Sequence, residues 1–145
     1  ELYETGWMHN RVRMIVASFL VKHLRIHWME GEKHFKNCLV DYNEASNIAQ
    51  WQWVAGCGAD AAPYFRIFNP ILQGEKFDKE GLYVKKWVPE ISKVPEKFTH
   101  KPWEMDLRYQ QAIKTIIGED YPSPVVIHEK ARASALEAFQ TLKKK

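Results

Sequence analysis

The stretch that most constrains this chain is Asp41 to Pro70, DYNEASNIAQWQWVAGCGADAAPYFRIFNP, rich in alanine and aromatic residues and poor in charge. It reads as a buried segment fitted to something planar. Its first half, Glu44 to Ala55, is predicted helical, and Gly56 and Gly58 stop the helix. With side chains advancing about 100° per residue, Asn43, Asn47 and Trp51 fall on one face, while Trp53 points almost the opposite way. Buried amides without partners cost about 1–3 kcal/mol each. The polar stripe is therefore either a hydrogen-bonded core network or a surface for a ligand, and the residues alone leave both open.

A chain of 145 residues can bury one core and is one domain or part of one. Hydrophobic residues at 46% and charged residues at 27% describe a soluble globular protein. No apolar run reaches the roughly 18 residues of a membrane span, and no signal peptide precedes the first predicted helix. Cys38 and Cys57 are too few for a disulfide framework or a zinc site and suggest a reducing compartment. The six histidines form no ligand pattern, so no metal is expected. The net charge of +3 is compatible with nucleic acid but does not require it.

Along the chain, Glu1 to Trp7 reads as a short helix or turn ending near Gly6. His9 to Leu24 keeps a helical period through Val12, Ile15, Val16, Phe19, Leu20 and His23. Its first turn is polar, with Asn10, Arg13 and Met14 on one face and Arg11 about 100° round, which is either a solvated helix start or a working end. Arg25 to Glu30 is a link in which Trp28 could serve as an anchor, and Gly31 to Val40 is a helix burying Phe35, Cys38 and Leu39. Asp60 to Asn69 is an ordered loop, and Asn69-Pro70 pairs a capping residue with proline at the first helical position. Helices follow at Pro70 to Phe77 and Gly81 to Trp87, with a turn around Asp78. Arg66 and Lys76 are equally readable as phosphate contacts and as solvated charges. Ser92 to Pro102 is expected to be irregular surface chain, and Asp106 to Ile117 a helix closed by Gly118. A turn at Tyr121 to Pro124 leads to a last helix, His128 to Lys144, carrying Ala131, Ala135, Leu136, Phe139 and Leu142, with a basic end that reads as a solvated tail. The expected fold is all-α.

The run D-x-N-x-x-x-N-x-x-x-W-Q-W-V-A-G-x-G-x-D-A-A-P-Y-F-R-I-F-N-P closely resembles the flavin-domain core of the photolyase and cryptochrome family. It most resembles the bacterial class I photolyases that repair cyclobutane pyrimidine dimers. G-W-M-H-N-R-V-R-M, Q-G-E-K-F-D and W-V-P-E extend the likeness from about Leu2 to Trp103, and more loosely to the C-terminus. The resemblance implies that residues 1–145 are the C-terminal part of a helical FAD-binding domain, without the N-terminal antenna domain or the first part of the FAD domain. It further implies FAD, active when reduced, an antenna chromophore held by the missing domain, and UV-damaged DNA as partner. The full-length protein would be a monomeric, cytoplasmic bacterial lyase.

Roles for individual residues follow from the same resemblance. Trp7 would lie at the flavin edge, Asn10 and Arg11 at the lesion and its backbone, with Asn10 also near the cofactor, and Met14 in the dimer pocket. Arg13 would pair with Asp41 beside the flavin, and Asn47 would face the flavin N5. Asn43 stands where relatives commonly carry an acid in contact with the cofactor. Trp51 and Trp28 would be the flavin-proximal and middle members of an electron-transfer chain, Trp53 would stack on the extruded dimer, and Arg66 would touch DNA. Photolyases of the (6-4) lesion carry histidines in place of Asn10 and Met14, which favours the cyclobutane substrate. Plant cryptochromes carry an acid and insect ones a cysteine in place of Asn47, which favours repair over signalling. A cryptochrome-type photoreceptor, or a helical fragment inactive by itself, is the competing expectation.

Overall fold

The computed structural model describes residues 1–62 and 65–143. Residues 63 and 64 of the predicted 60–69 loop, the predicted helix end at Lys144, and the side chains of Leu142 and Lys143 lie outside what is described. The described residues are helical, with no strand and a single isolated bridge between Ile117 and Tyr121. None of their helices is long and apolar enough to cross a membrane. The chain divides into two compact units, Glu1–Phe68 with Val126–Lys145, and Asn69–Val125.

The first unit opens with α1 (Leu2–Thr5), ended by Gly6 in the left-handed region at φ 66°. Then α2 (Asn10–Ser18) starts where the His9 ring accepts the Arg11 N–H at 3.1 Å. The predicted helix to Leu24 does continue, but not as an α-helix: Phe19–His23 is a π turn, closed by Leu24 N–H on the Phe19 carbonyl. The wider turn brings two neighbouring positions inward together, so Lys22 and His23 are both buried. The Lys22 ammonium donates to the Arg66 carbonyl and lies 4.7 Å from the Phe65 ring centre.

Helix α3 (Trp28–Cys38) begins earlier than the sequence suggests. The His27 ring accepts the Met29 N–H at 3.4 Å and so caps it, which places Trp28 in the helix and not in a link. Phe35 and Leu39 are buried as expected, whereas Cys38 is only half-buried. Helix α4 (Glu44–Ala55) has the predicted limits, set by the Asn43 side chain accepting from Ser46 N–H at 3.0 Å and by Gly56 at φ 79°. Leu2, Ala17, Phe35, Leu39, Trp51 and Val54 form the core of this unit. The last helix of the chain also belongs to this unit, and its Phe139 ring stacks on Phe65 at 4.3 Å.

In the second unit, α5 (Pro70–Phe77) is capped by Asn69, whose side chain accepts from Ile71 and Leu72 N–H. Helix α6 (Leu82–Trp87) follows Gly81, and the Asp78 carboxylate accepts from Tyr83 and Val84 N–H, both at 3.0 Å. The 92–102 segment is not irregular surface chain. A 3₁₀ turn, Glu96–Phe98, lies within it and two more, Pro89–Ile91 and Pro102–Glu104, flank it. Ile91, Val94 and Met105 make the apolar core there, with Thr99 buried as well. Prolines occupy the first position of two of these turns, where a missing N–H costs nothing.

Helix α7 (Leu107–Ile113) is shorter than predicted, because Lys114 turns into the left-handed region at φ 55°. Gln110 fixes this end by donating to the Met105 carbonyl and accepting the Ile117 N–H. Ile116 therefore lies beyond the helix, and Gly118 serves the bridge turn and not the helix end. The chain closes with α8 (His128–Lys143), back in the first unit.

Candidate cofactor cleft in the first unit

A cleft of about 270 Å³ lies between α2, α3 and α4 and the segment joining α3 to α4. Its walls include Asn10, Arg13, Met14, Asp41, Asn43, Asn47 and Trp51, seven of the residues singled out in the sequence. Helix α2 supplies the first three from its polar first turn, as the spacing of three and four requires. Helix α4 supplies Asn47 and Trp51 from one face, and Asn43 caps the same helix.

The polar side of the cleft is held by bonds among its own residues. Arg13 Nη2 donates to both Asp41 oxygens at 3.1 and 2.9 Å, and Arg13 Nε donates to the Met8 carbonyl at 2.6 Å. The Asp41 side chain is about half exposed, so this pair contributes orientation more than stability. Asn47 Nδ2 donates to the Glu32 carbonyl and to Glu32 Oε1, both at 3.1 Å. With both amide hydrogens engaged, Asn47 meets a ligand through Oδ1 as an acceptor. Tyr42 donates its hydroxyl to the same Glu32 oxygen at 3.4 Å. Burial raises the Tyr42 pKa, Lys36 opposes this, and Glu44 and Glu32 add to it, so the phenol remains a donor.

Glu32 is the functional candidate that sequence reading missed. It lies on α3 and its partner on α4, and helical periodicity carries no information about which residues meet across two helices. The Asn43 oxygen is engaged in capping α4, a task an acid at this position performs equally well.

The apolar side is Trp51, 2% exposed, with Phe35 edge-on at 5.1 Å. Asn10 Nδ2 points at Met14 Sδ from 3.9 Å. Five expected residues are not among the cleft's walls. Trp7 is exposed with its ring edge-on to His9, Arg11 is half-buried, and Trp28 and Trp53 are half-buried against the unit's core. Arg66 is exposed, its guanidinium 5.8 Å from the Phe68 ring centre. No cluster of three or more His, Cys, Asp or Glu able to hold a metal occurs among the described residues.

A polar edge of fixed donors and an acceptor facing an aromatic wall suits a flat, hydrogen-bonding ring system such as a flavin. The volume lies just under the roughly 300–1,000 Å³ of pockets that enclose whole drug-sized ligands, so the cleft fits part of a dinucleotide.

Residues 1–141 match the family model described as the FAD binding domain of DNA photolyase. The chain is 57% identical over 144 residues to the deoxyribodipyrimidine photo-lyase of Agrobacterium fabrum, covering 99% of this chain and 30% of that protein. Among solved structures it superposes on a bacterial class III photolyase from Agrobacterium tumefaciens with a TM-score of 0.93 and 57% identity, over 99% of this chain and 30% of that one. A cryptochrome from Synechocystis gives a TM-score of 0.86 at 38% identity, over 92% of this chain and 27% of that one. The motifs read as most like class I, whereas this solved structure at 57% identity is described as a class III photolyase, and the chain spans about 30% of the length of the relatives it matches. By this match over nearly its whole length, the chain belongs to the family of FAD-binding domains of DNA photolyases.

Proposed function

We propose that this chain is the C-terminal part of the flavin-binding domain of a light-dependent enzyme that splits cyclobutane pyrimidine dimers in UV-damaged DNA. The observation that carries this reading is the convergence of the Arg13–Asp41 pair, Asn47 and Trp51 on one cleft in a chain of the photolyase family. Reduced FAD, when bound, supplies the electron that opens the dimer. With that electron returned to the cofactor after the two carbon–carbon bonds break, the reaction would be a redox-neutral lysis. A longer protein would add the remaining flavin contacts and an antenna chromophore.

The chain's own residues orient, shield and conduct. Arg13, held by Asp41 and the Met8 carbonyl, presents a fixed cation to the polar edge of the ring system. Asn47, held by Glu32, offers Oδ1 as an acceptor to a protonated ring nitrogen, which supports the reduced state that repair needs. Trp51 excludes water from one side and, with Trp28, forms a relay that refills the cofactor. Asn10 and Met14 face the lesion, Trp53 stacks on it, and Arg11 and Arg66 bind phosphate. Extrusion of the substrate from the duplex is a family property of photolyases.

The test is a titration of the full-length protein against damaged and undamaged duplex at several salt concentrations. Trp53→Ala should weaken binding of damaged DNA by about 1–3 kcal/mol and leave undamaged DNA nearly unchanged, since only an extruded base reaches the ring. Arg11→Ala should weaken both and lower the salt slope by about one counterion. Absence of any preference for damaged DNA in the wild type would turn the assignment toward a photoreceptor like the cryptochrome neighbour. Equal weakening of both DNAs by Trp53→Ala would remove Trp53 from the lesion site.

A further inference from the structure

Gly31 sits inside α3 with helical backbone, where glycine is less favourable than alanine. No left-handed conformation calls for it. What a side chain would meet does: a Cβ at Gly31 would stand 2.0 Å from Trp51 Cη2, 2.4 Å from Cζ3 and 2.5 Å from Cζ2. The far edge of the indole thus rests on the bare backbone of α3. The ring is 2% exposed, and Phe35, one turn further along α3, closes one flank at 5.1 Å. To regain ordinary contact at about 3.5–4.0 Å from a methyl group, the indole would have to withdraw by more than about 1 Å.

The same face of α3 carries Trp28, three residues before Gly31, which packs against the core cluster that contains Trp51. Trp51 also walls the cleft beside Asn47. We infer that Gly31 is a positioning residue: its missing side chain sets how deeply the Trp51 ring seats on α3, and thereby the gap an electron crosses between Trp28 and Trp51. This rests on the relay proposed above. Electron transfer between aromatic rings falls steeply with their separation, so a ring displaced by an added methyl group slows the relay even when the fold survives.

The experiment compares wild type, Gly31→Ala, Trp51→Phe and the double variant in the full-length flavoprotein. It reads flavin content and the rate of photoreduction of oxidised flavin per bound flavin. Gly31→Ala should photoreduce several-fold or more slowly at matched flavin content, a change that loss of packing alone does not produce. A wild-type rate in Gly31→Ala, alongside a lost rate in Trp51→Phe, overturns the role of Gly31 and leaves the relay standing. A wild-type rate in Trp51→Phe overturns the relay and the inference with it. If Gly31→Ala fails to fold or to hold flavin, the shorter phenylalanine in Gly31→Ala/Trp51→Phe should restore both. A double variant as defective as Gly31→Ala would place the damage elsewhere on α3 and overturn the assignment.

Discussion

The two compact units differ in what their polar side chains surround. In Asn69–Val125 several bond the unit's own backbone: Asp78 caps α6, Gln110 ties the Met105 carbonyl to the Ile117 N–H, and His100 Nε2 bonds the Asp78 carbonyl at 2.6 Å, while Lys101 pairs with Glu75 and Glu104. These bonds hold a core of Ile91, Val94 and Met105 contributed by turns and short segments, not by long helices. In the first unit, helices supply most of the core, and Arg13, Asp41, Glu32 and Asn47 bond chiefly to one another around an open space. Polar groups that the fold does not need for itself are the ones available to a ligand.

The sharpest way to break this contrast is at Trp51, which is at once core and cleft wall. Trp51→Ala removes one of the largest buried side chains of the first unit and should destabilise the protein by about 3–5 kcal/mol, read from the denaturant midpoint. A loss below about 1 kcal/mol would mean that the ring belongs to the site alone and that the core closes without it.

The second unit should respond to the loss of a polar group more than to the loss of a surface apolar one. Asp78→Ala leaves two backbone donors of α6 without their acceptor and should cost about 1–2 kcal/mol. Leu107→Ala, at 59% exposure, should stay within about 0.5 kcal/mol. Equal costs for the two variants would show that the Asp78 bonds are not what holds α6 in place.

Legibility followed the same division. The limits of α4 and the start of α5 were readable because Asn43, Gly56 and Asn69-Pro70 are strong local signals that need no tertiary partner. The shared face of Asn43, Asn47 and Trp51 followed from the helical period, whereas the partnership of Arg13 with Asp41 came only through resemblance, since the two lie on separate elements. The π turn was hidden because one turn of wider helix leaves the apolar period of α2 almost unchanged, and only Lys22 betrays it by being buried. Trp28 reads as part of a link because histidine is not a common capping residue, and His27 nonetheless caps α3. In the second unit, Pro95 and Pro102 suggested surface chain. Buried 3₁₀ turns accept proline as readily, and the burial of Val94 and Thr99 is decided by the whole unit. Lys114 ended α7 in a conformation that its residue type does not announce.

The smallest expected effect sharpens the contrast at the π turn, where the first unit buries polar groups that face no carboxylate partner. His23 Nε2 lies 2.8 Å from His128 Nδ1, the Phe19 ring stacks on His23 at 5.1 Å, and Lys22 is buried beside it. Burial lowers the His23 pKa, the charge of His128 lowers it further, and the Ser18 carbonyl opposes both. The native state therefore binds fewer protons than the unfolded chain in the range below the ordinary histidine value of about 6.5. The His23 contribution is complete above that value and is lost as pH falls from it through the lower folded-state value. Lys22, pushed down to about 8 by burial, has the same sign in a higher range, with stability rising as pH climbs from about 8 toward its ordinary value. Denaturant midpoints between pH 5.5 and 7 should thus fall on acidification, and His23→Leu should flatten that fall while leaving the rise above pH 8 in place. An acid slope unchanged by His23→Leu would show that the His23–His128 contact is not what makes this turn sensitive to protons.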